Sequence, residues 1–168
     1  MVPRKIVIGV MGPGEQAKDI DIRNAHELGK RIAREGWVLL TGGRNVGVME
    51  AASQGAKFAN GLTIGILPGK TDEGISEAVD IAIFTDLGNA RNNINVLSSD
   101  VVIACGMSAG TASEIALALK ASKKVILLTD DEESKLFFQK MSPENVCVVC
   151  DVENAIAKCK LYLAYRHN

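Results

Sequence analysis

The segment Gly106-Met107-Ser108-Ala109-Gly110-Thr111-Ala112-Ser113-Glu114 concentrates the groups best suited to chemistry in this sequence. It follows an apolar run, and its small residues free backbone N–H groups at a helix start, where aligned peptide dipoles favour a phosphate or similar oxyanion. Ser108 and Thr111 add hydroxyl donors, and Gly106 and Gly110 let a ligand come close to the backbone. Glu114 has two readings. It can face a bound ligand, or it can close a capping box, Thr111-x-x-Glu114, in which the carboxylate returns to a backbone N–H.

Other turns supply charge and amides. In Thr41-Gly42-Gly43-Arg44-Asn45-Val46-Gly47-Val48-Met49, Arg44 stands beside glycines that expose the backbone, although glycine clusters also simply make tight turns. Gly88-Asn89-Ala90-Arg91-Asn92-Asn93 packs one guanidinium among amides, a set able to clamp oxyanions and read heterocycle edges. The same asparagines could be helix caps and Arg91 a solvated charge.

Two nucleotide motifs are approached and missed. Gly12-Pro13-Gly14-Glu15-Gln16-Ala17 fits the dinucleotide fingerprint, but the next strand ends in Leu40-Thr41-Gly42-Gly43 without an acid for a ribose hydroxyl, and Pro13-Gly14-Glu15 reads as a turn. Gly65-Ile66-Leu67-Pro68-Gly69-Lys70-Thr71 is one residue short of an ATP loop and leads into Asp72 and Glu73, so it reads as a turn closing a strand. Cys147 and Cys150 have C-x-x-C spacing, which in an extended strand sends the two sulfurs to opposite faces. No second Cys or His pair accompanies them, and no metal site is expected.

The elements that must hold these turns alternate from end to end. Strands are expected at 6–10, 38–40, 63–67, 81–84, 101–105, 125–128 and 146–149, mostly continuous apolar runs of the kind covered on both faces. Between them lie helical patterns. Ala25, Leu28, Ile32 and Ala33 form one stripe ended by Gly36, and Val152, Ala155, Ile156 and Cys159 form another after Asp151. This predicts an α/β, Rossmann-like three-layer sandwich, a mostly parallel sheet with helices on both faces, as one domain over residues 1–168. In such sheets the turns after the strands gather at one rim, where ligands bind. The run Ala112, Ile115, Ala116, Leu117, Ala118, Leu119 is apolar nearly all round, which suits a subunit interface or a deeply central helix.

The 19 basic and 20 acidic side chains leave a net charge of -1, which excludes the profile of a basic nucleic-acid binder. The start, Met1-Val2-Pro3-Arg4-Lys5, leads into an apolar run too short for a signal-peptide core or a membrane span, so a cytoplasmic protein is expected.

Taken together, the second turn, Arg91 and Gly110-Thr111-x-x-Glu114 resemble the lysine decarboxylase-like superfamily, which includes cytokinin-activating nucleoside 5′-monophosphate phosphoribohydrolases. Those enzymes carry Gly-Gly-Gly-x-x-Gly-x-Met, Met-His-x-Arg-Lys and Pro-Gly-Gly-x-Gly-Thr-x-x-Glu. Here the His, the Lys and the Pro-Gly-Gly lead are replaced. The combination Thr41-Gly42-Gly43-Arg44, Leu87-Gly88-x-Ala90-Arg91-x-Asn93-Ile94-Asn95 and Gly106-Met107-x-x-Gly110-Thr111-Ala112-x-Glu114 looks more like the molybdenum cofactor carrier proteins of that superfamily.

That resemblance implies a homo-oligomer, commonly a tetramer, that binds and shields molybdenum cofactor (molybdopterin with its terminal phosphate) without turning it over, and that serves molybdenum cofactor-dependent enzymes. The expected binding set is Gly12, Gly14, Thr41, Gly42, Gly43, Arg44, Arg91, Asn92, Asn93, Gly106, Ser108, Gly110, Thr111 and Glu114. Phosphate would sit at Gly110-Thr111, the amides of Asn92 and Asn93 would read the pterin edge, and Arg44 and Arg91 would face the molybdenum oxygens. No protein metal ligand is expected. The alternative is phosphoribohydrolase activity, with Glu114 helping to activate water and Arg91 orienting the substrate.

Overall fold

A computed structural model of the chain describes residues 4–164. Strands β1 (Val7–Met11), β2 (Val38–Thr41), β3 (Thr63–Leu67), β4 (Ile81–Phe84), β5 (Val101–Cys105), β6 (Val125–Leu128) and β7 (Val146–Val148) form one sheet in the order β4-β3-β2-β1-β5-β6-β7. Every pairing is parallel, so the expected mostly parallel sheet is parallel throughout. The expected strand positions hold, with the first running one residue later, the second extending one residue further and the last ending one residue earlier.

Parallel strands need crossovers, and six helices supply most of them: α1 (Asp19–Arg34), α2 (Gly47–Phe58), α3 (Arg91–Ser98), α4 (Ala109–Lys120), α5 (Glu132–Met141) and α6 (Val152–Ala164). Alternate strand residues face opposite layers. Ile8, Val10, Leu39, Ile103 and Ile126 pack under α1, α2 and α6, whereas Met11, Leu40, Val102, Ala104 and Leu127 pack under α3, α4 and α5. This explains why the central strands read as unbroken apolar runs. Each residue is buried, but by a different layer.

Local signals set the helix ends. Gly36 takes φ of 73° after α1, and the Trp37 N–H returns to the Ile32 carbonyl. Asp151 caps α6 through the Asn154 N–H at 2.8 Å.

Three places depart from the sequence reading. β4 is exposed along most of its length because residues 68–80, which join it to β3, form no helix to cover it. The C-x-x-C sulfurs do not diverge across a strand. β7 ends at Val148, Cys150 lies in the turn before α6, and both cysteines line one cleft of about 780 Å³ along the β7 edge. On α4, Thr111, Glu114, Ile115 and Ala118 are buried, Ala112, Leu117 and Leu119 half-buried and Ala116 exposed. The chain thus covers only part of that apolar helix.

Candidate functional site

Strand order reverses between β1 and β5, since the chain leaves β1 toward β2 and later returns to place β5 on the other side. At such a point the turns after neighbouring strands splay apart and leave a crevice. Here the crevice is a cavity of about 170 Å³, walled by Gly12, Gly14 and Glu15 after β1, Gly42 and Arg44 after β2, and Ser108, Gly110, Thr111 and Glu114 at the start of α4. Met49, Asn89, Arg91 and Asn92 close it from α2 and from the start of α3.

The floor is the start of α4. Ser108 is its N-cap, with φ of -153° and ψ of 172°, and its Oγ accepts from the Thr111 N–H at 3.2 Å. The capping-box alternative at Thr111 and Glu114 is therefore not formed, because the helix starts a turn earlier, at Ser108. The Ala109 and Gly110 amides precede the first intrahelical bond, Ala112 N–H to the Ser108 carbonyl; both residues are exposed, and Gly110 borders the cavity. Ser108→Ala should cost ~1 kcal/mol, read as a lower denaturation midpoint. An unchanged midpoint would show that the cap contributes nothing to stability.

Arg91 is the cavity's central cation. Its side chain is buried, and its Nη1 donates to the backbone carbonyls of Gly42 and Ile66. The guanidinium thus ties together the ends of β2 and β3 while bordering the cavity. Burial pulls its pKa below the ordinary arginine value, opposed by the Glu114 charge, and Arg44 adds to the lowering. Gly42 makes the approach possible: a Cβ there would lie 2.6 Å from Met49 Sδ and 2.9 Å from Arg91 Nη2.

Arg44 is more exposed and pairs with Glu15 across the cavity mouth at 3.2 Å. Glu114 is buried, and its Oε1 accepts from Asn95 Nδ2 at 2.9 Å. Burial pushes its carboxyl up to about 7, with the Asn95 hydrogen bond and the Arg91 charge holding it down.

Of the expected residues, Gly12, Gly14, Gly42, Arg44, Arg91, Asn92, Ser108, Gly110, Thr111 and Glu114 border the cavity. Thr41, Gly43, Asn93 and Gly106 do not. Thr41 Oγ1 is buried and accepts from the Gly43 N–H at 3.0 Å, Gly43 lies against Gly65, and Gly106 lies over the Asp21 carboxylate. Asn93 points to the exposed side of α3, and the Asn92 amide donates to Ser113 Oγ at 3.0 Å. Glu15, Met49 and Asn89 join the lining without having been singled out, and Asn95 enters as the partner of Glu114. Each lay inside a quoted motif, yet only the packing of α3 on α4 shows what Asn95 touches. Among the described residues no group of three or more His, Cys, Asp or Glu side chains could hold a metal ion, and no helix is long and apolar enough to cross a membrane.

The same fold occurs in known proteins. A family model described as the SLOG cluster4 family matches residues 5–156. The structure of the molybdenum cofactor binding protein from Rippkaea orientalis superposes with a TM-score of 0.94 at 64% identity, over 95% of this chain and 98% of that one. The molybdenum cofactor carrier protein of Chlamydomonas reinhardtii gives 0.91 at 55% identity, over 96% and 99%. A cytokinin riboside 5′-monophosphate phosphoribohydrolase of Mycobacterium tuberculosis is 33% identical over 93 residues, 54% of this chain and 50% of that protein.

Proposed function

The chain belongs to the SLOG cluster4 family, and from that membership and the anion cradle at the switch point we propose that it carries molybdenum cofactor as cargo. The carrying observation is the start of α4, where Ser108, Gly110 and Thr111 border a cavity that Arg91 also lines. The cofactor's phosphate sits at that helix start. Arg44 and Arg91 face its oxygen-rich metal end, and Asn89 and Asn92 border the pterin. The cofactor brings its own dithiolene sulfurs, so the site has to supply donors and positive charge, which Arg44, Arg91, Asn89, Asn92, Ser108 and Thr111 offer beside the Glu15 and Glu114 carboxyls.

A cavity of about 170 Å³ is smaller than the ~300 Å³ or more that encloses a drug-sized ligand. The chain therefore grips one end of the cargo and leaves the rest at the mouth. A homotetramer would cover what one chain leaves open, and the half-covered α4 together with exposed Leu97 on the adjacent α3 offers a surface for it. The protein acts in the cytoplasm as one domain and passes its cargo to molybdenum cofactor-dependent enzymes.

A second reading has its own support. Glu114, held near neutral pKa beside an arginine, could assist cleavage of a nucleoside monophosphate. One experiment separates the two. Cofactor released from a molybdoenzyme should co-elute with the protein stoichiometrically, and AMP incubated with it should yield no free adenine. Adenine release that Glu114→Gln abolishes, without cofactor retention, would establish the hydrolase instead.

A further inference from the structure

The cavity that receives an anion also contains a buried carboxyl group with no cation in direct contact. Glu114 borders the space, and Asn95 Nδ2 holds its Oε1 from the neighbouring helix. Arg91 does not pair with it: Nη1 is committed to two backbone carbonyls, and no Arg91–Glu114 contact is among the ion pairs of the described residues. Asn95 is itself wholly buried, and its Oδ1 has no partner. A buried carboxylate served by one neutral amide is poorly solvated, and an incoming oxyanion would add repulsion. As a carboxylic acid the same group becomes a hydrogen-bond donor to that oxyanion.

We propose that Glu114 meets the cargo in its protonated form, donating from the oxygen that Asn95 leaves free, so that binding carries one proton into the site. This rests on the cradle reading above. It also names the chemistry accepted there: an acceptor-only oxygen, such as that of a phosphate monoester dianion or a metal-bound oxo group. Asn95 is the positioning residue, since holding one oxygen as acceptor places the proton on the other.

The surrounding charges set the pH range. Arg91 on α3 favours ionisation; Arg44 after β2 and Glu15 after β1 also border the cavity but are paired with each other, and α4 brings no other charged side chain to it. With the free-state carboxyl near 7, binding needs no proton uptake below that pH, because the acid is already present. Above it, affinity falls as the acid form becomes scarce, about fivefold over the first pH unit and approaching tenfold per unit beyond that.

The test uses wild type and Glu114→Gln, which keeps an acceptor for Asn95 and a donor for the ligand but cannot ionise. Affinity for cofactor released from a molybdoenzyme, read from its retention, should drop about fivefold between pH 7 and pH 8 in wild type and stay level in Glu114→Gln. A wild-type profile flat over this range, or a Gln variant that tracks it, overturns the proposal. If neither protein retains cofactor at any pH, the cargo reading fails. The state of Glu114 is then decided by infrared difference spectra of wild type against the variant, with and without inorganic molybdate. A protonated carboxyl band that persists to higher pH with molybdate supports acid donation, and an unmoved or absent band refutes it.

Discussion

Arg91→Ala should release the cargo and at the same time cost about 3–5 kcal/mol of stability, because one side chain performs two jobs. Its Nη1 satisfies the carbonyls of Gly42 and Ile66 at the ends of two neighbouring strands. Truncation leaves both acceptors buried without a donor, at ~1–3 kcal/mol each, and removes the cation from the cavity wall. Arg91→Lys should recover part of the charge and little of the rest, since an ammonium on a flexible stem does not reproduce a planar fork held between two carbonyls. Denaturant titration gives the stability loss, and co-elution of cofactor gives the binding loss. A variant that holds its cargo with an unchanged midpoint would remove Arg91 from both roles.

The second large effect comes from a glycine rather than a charged side chain. Gly47 opens α2 with φ of 57°, and a Cβ there would lie 2.2 Å from the Gly14 carbonyl oxygen and 2.3 Å from that of Pro13. Both contacts are with backbone, which cannot swing away as a flexible side chain can. Gly47→Ala combines left-handed strain of ~1–2 kcal/mol with a forced separation of the β1 and β2 turns, for a total of about 3 kcal/mol or more. Those turns are two walls of the cavity, so cargo retention should fall as well. Gly36→Ala is the matched control, because φ there is 73° but a Cβ would meet nothing within 4 Å. It should show the left-handed cost alone, ~1 kcal/mol, and keep the cargo. Equal midpoints for the two variants would mean that the packing of Gly47 on the first turn is unimportant.

Much of this architecture can be read from the amino acids. Alternation of apolar runs and helical stripes gives the sheet and its layers, and glycines after three strands mark the rim. The turn at Pro13-Gly14-Glu15 and the missing acid after Leu40 separate the site from a dinucleotide fold without any coordinates. What stays hidden depends on neighbours distant in sequence. Thr41, Gly43 and Gly106 look like cradle residues in one dimension, yet they face Gly43, Gly65 and Asp21 inside the protein. Two overlapping patterns, Ser108-x-x-Thr111 and Thr111-x-x-Glu114, both fit a helix start. The first wins because Ser108 takes the extended backbone of a cap, which frees Glu114 to meet Asn95. Burial of that carboxyl, and with it the departure from ordinary acidity, arises only when α3 packs on α4. The bare flank of β4 is equally invisible, since nothing in Ile81–Phe84 reports that the preceding connection lacks a helix.

The placement of β5 against β1 has a further consequence during synthesis. Ile8 takes Val101 as its neighbour across the sheet, with more than half the chain between them. A ribosome-bound fragment ending before that point has strands β1 to β4 but no wall from α4, and the apolar edge of its first strand remains unclosed. The cradle therefore cannot exist until the fifth strand and the helix after it have emerged, and cofactor cannot help the early half to fold.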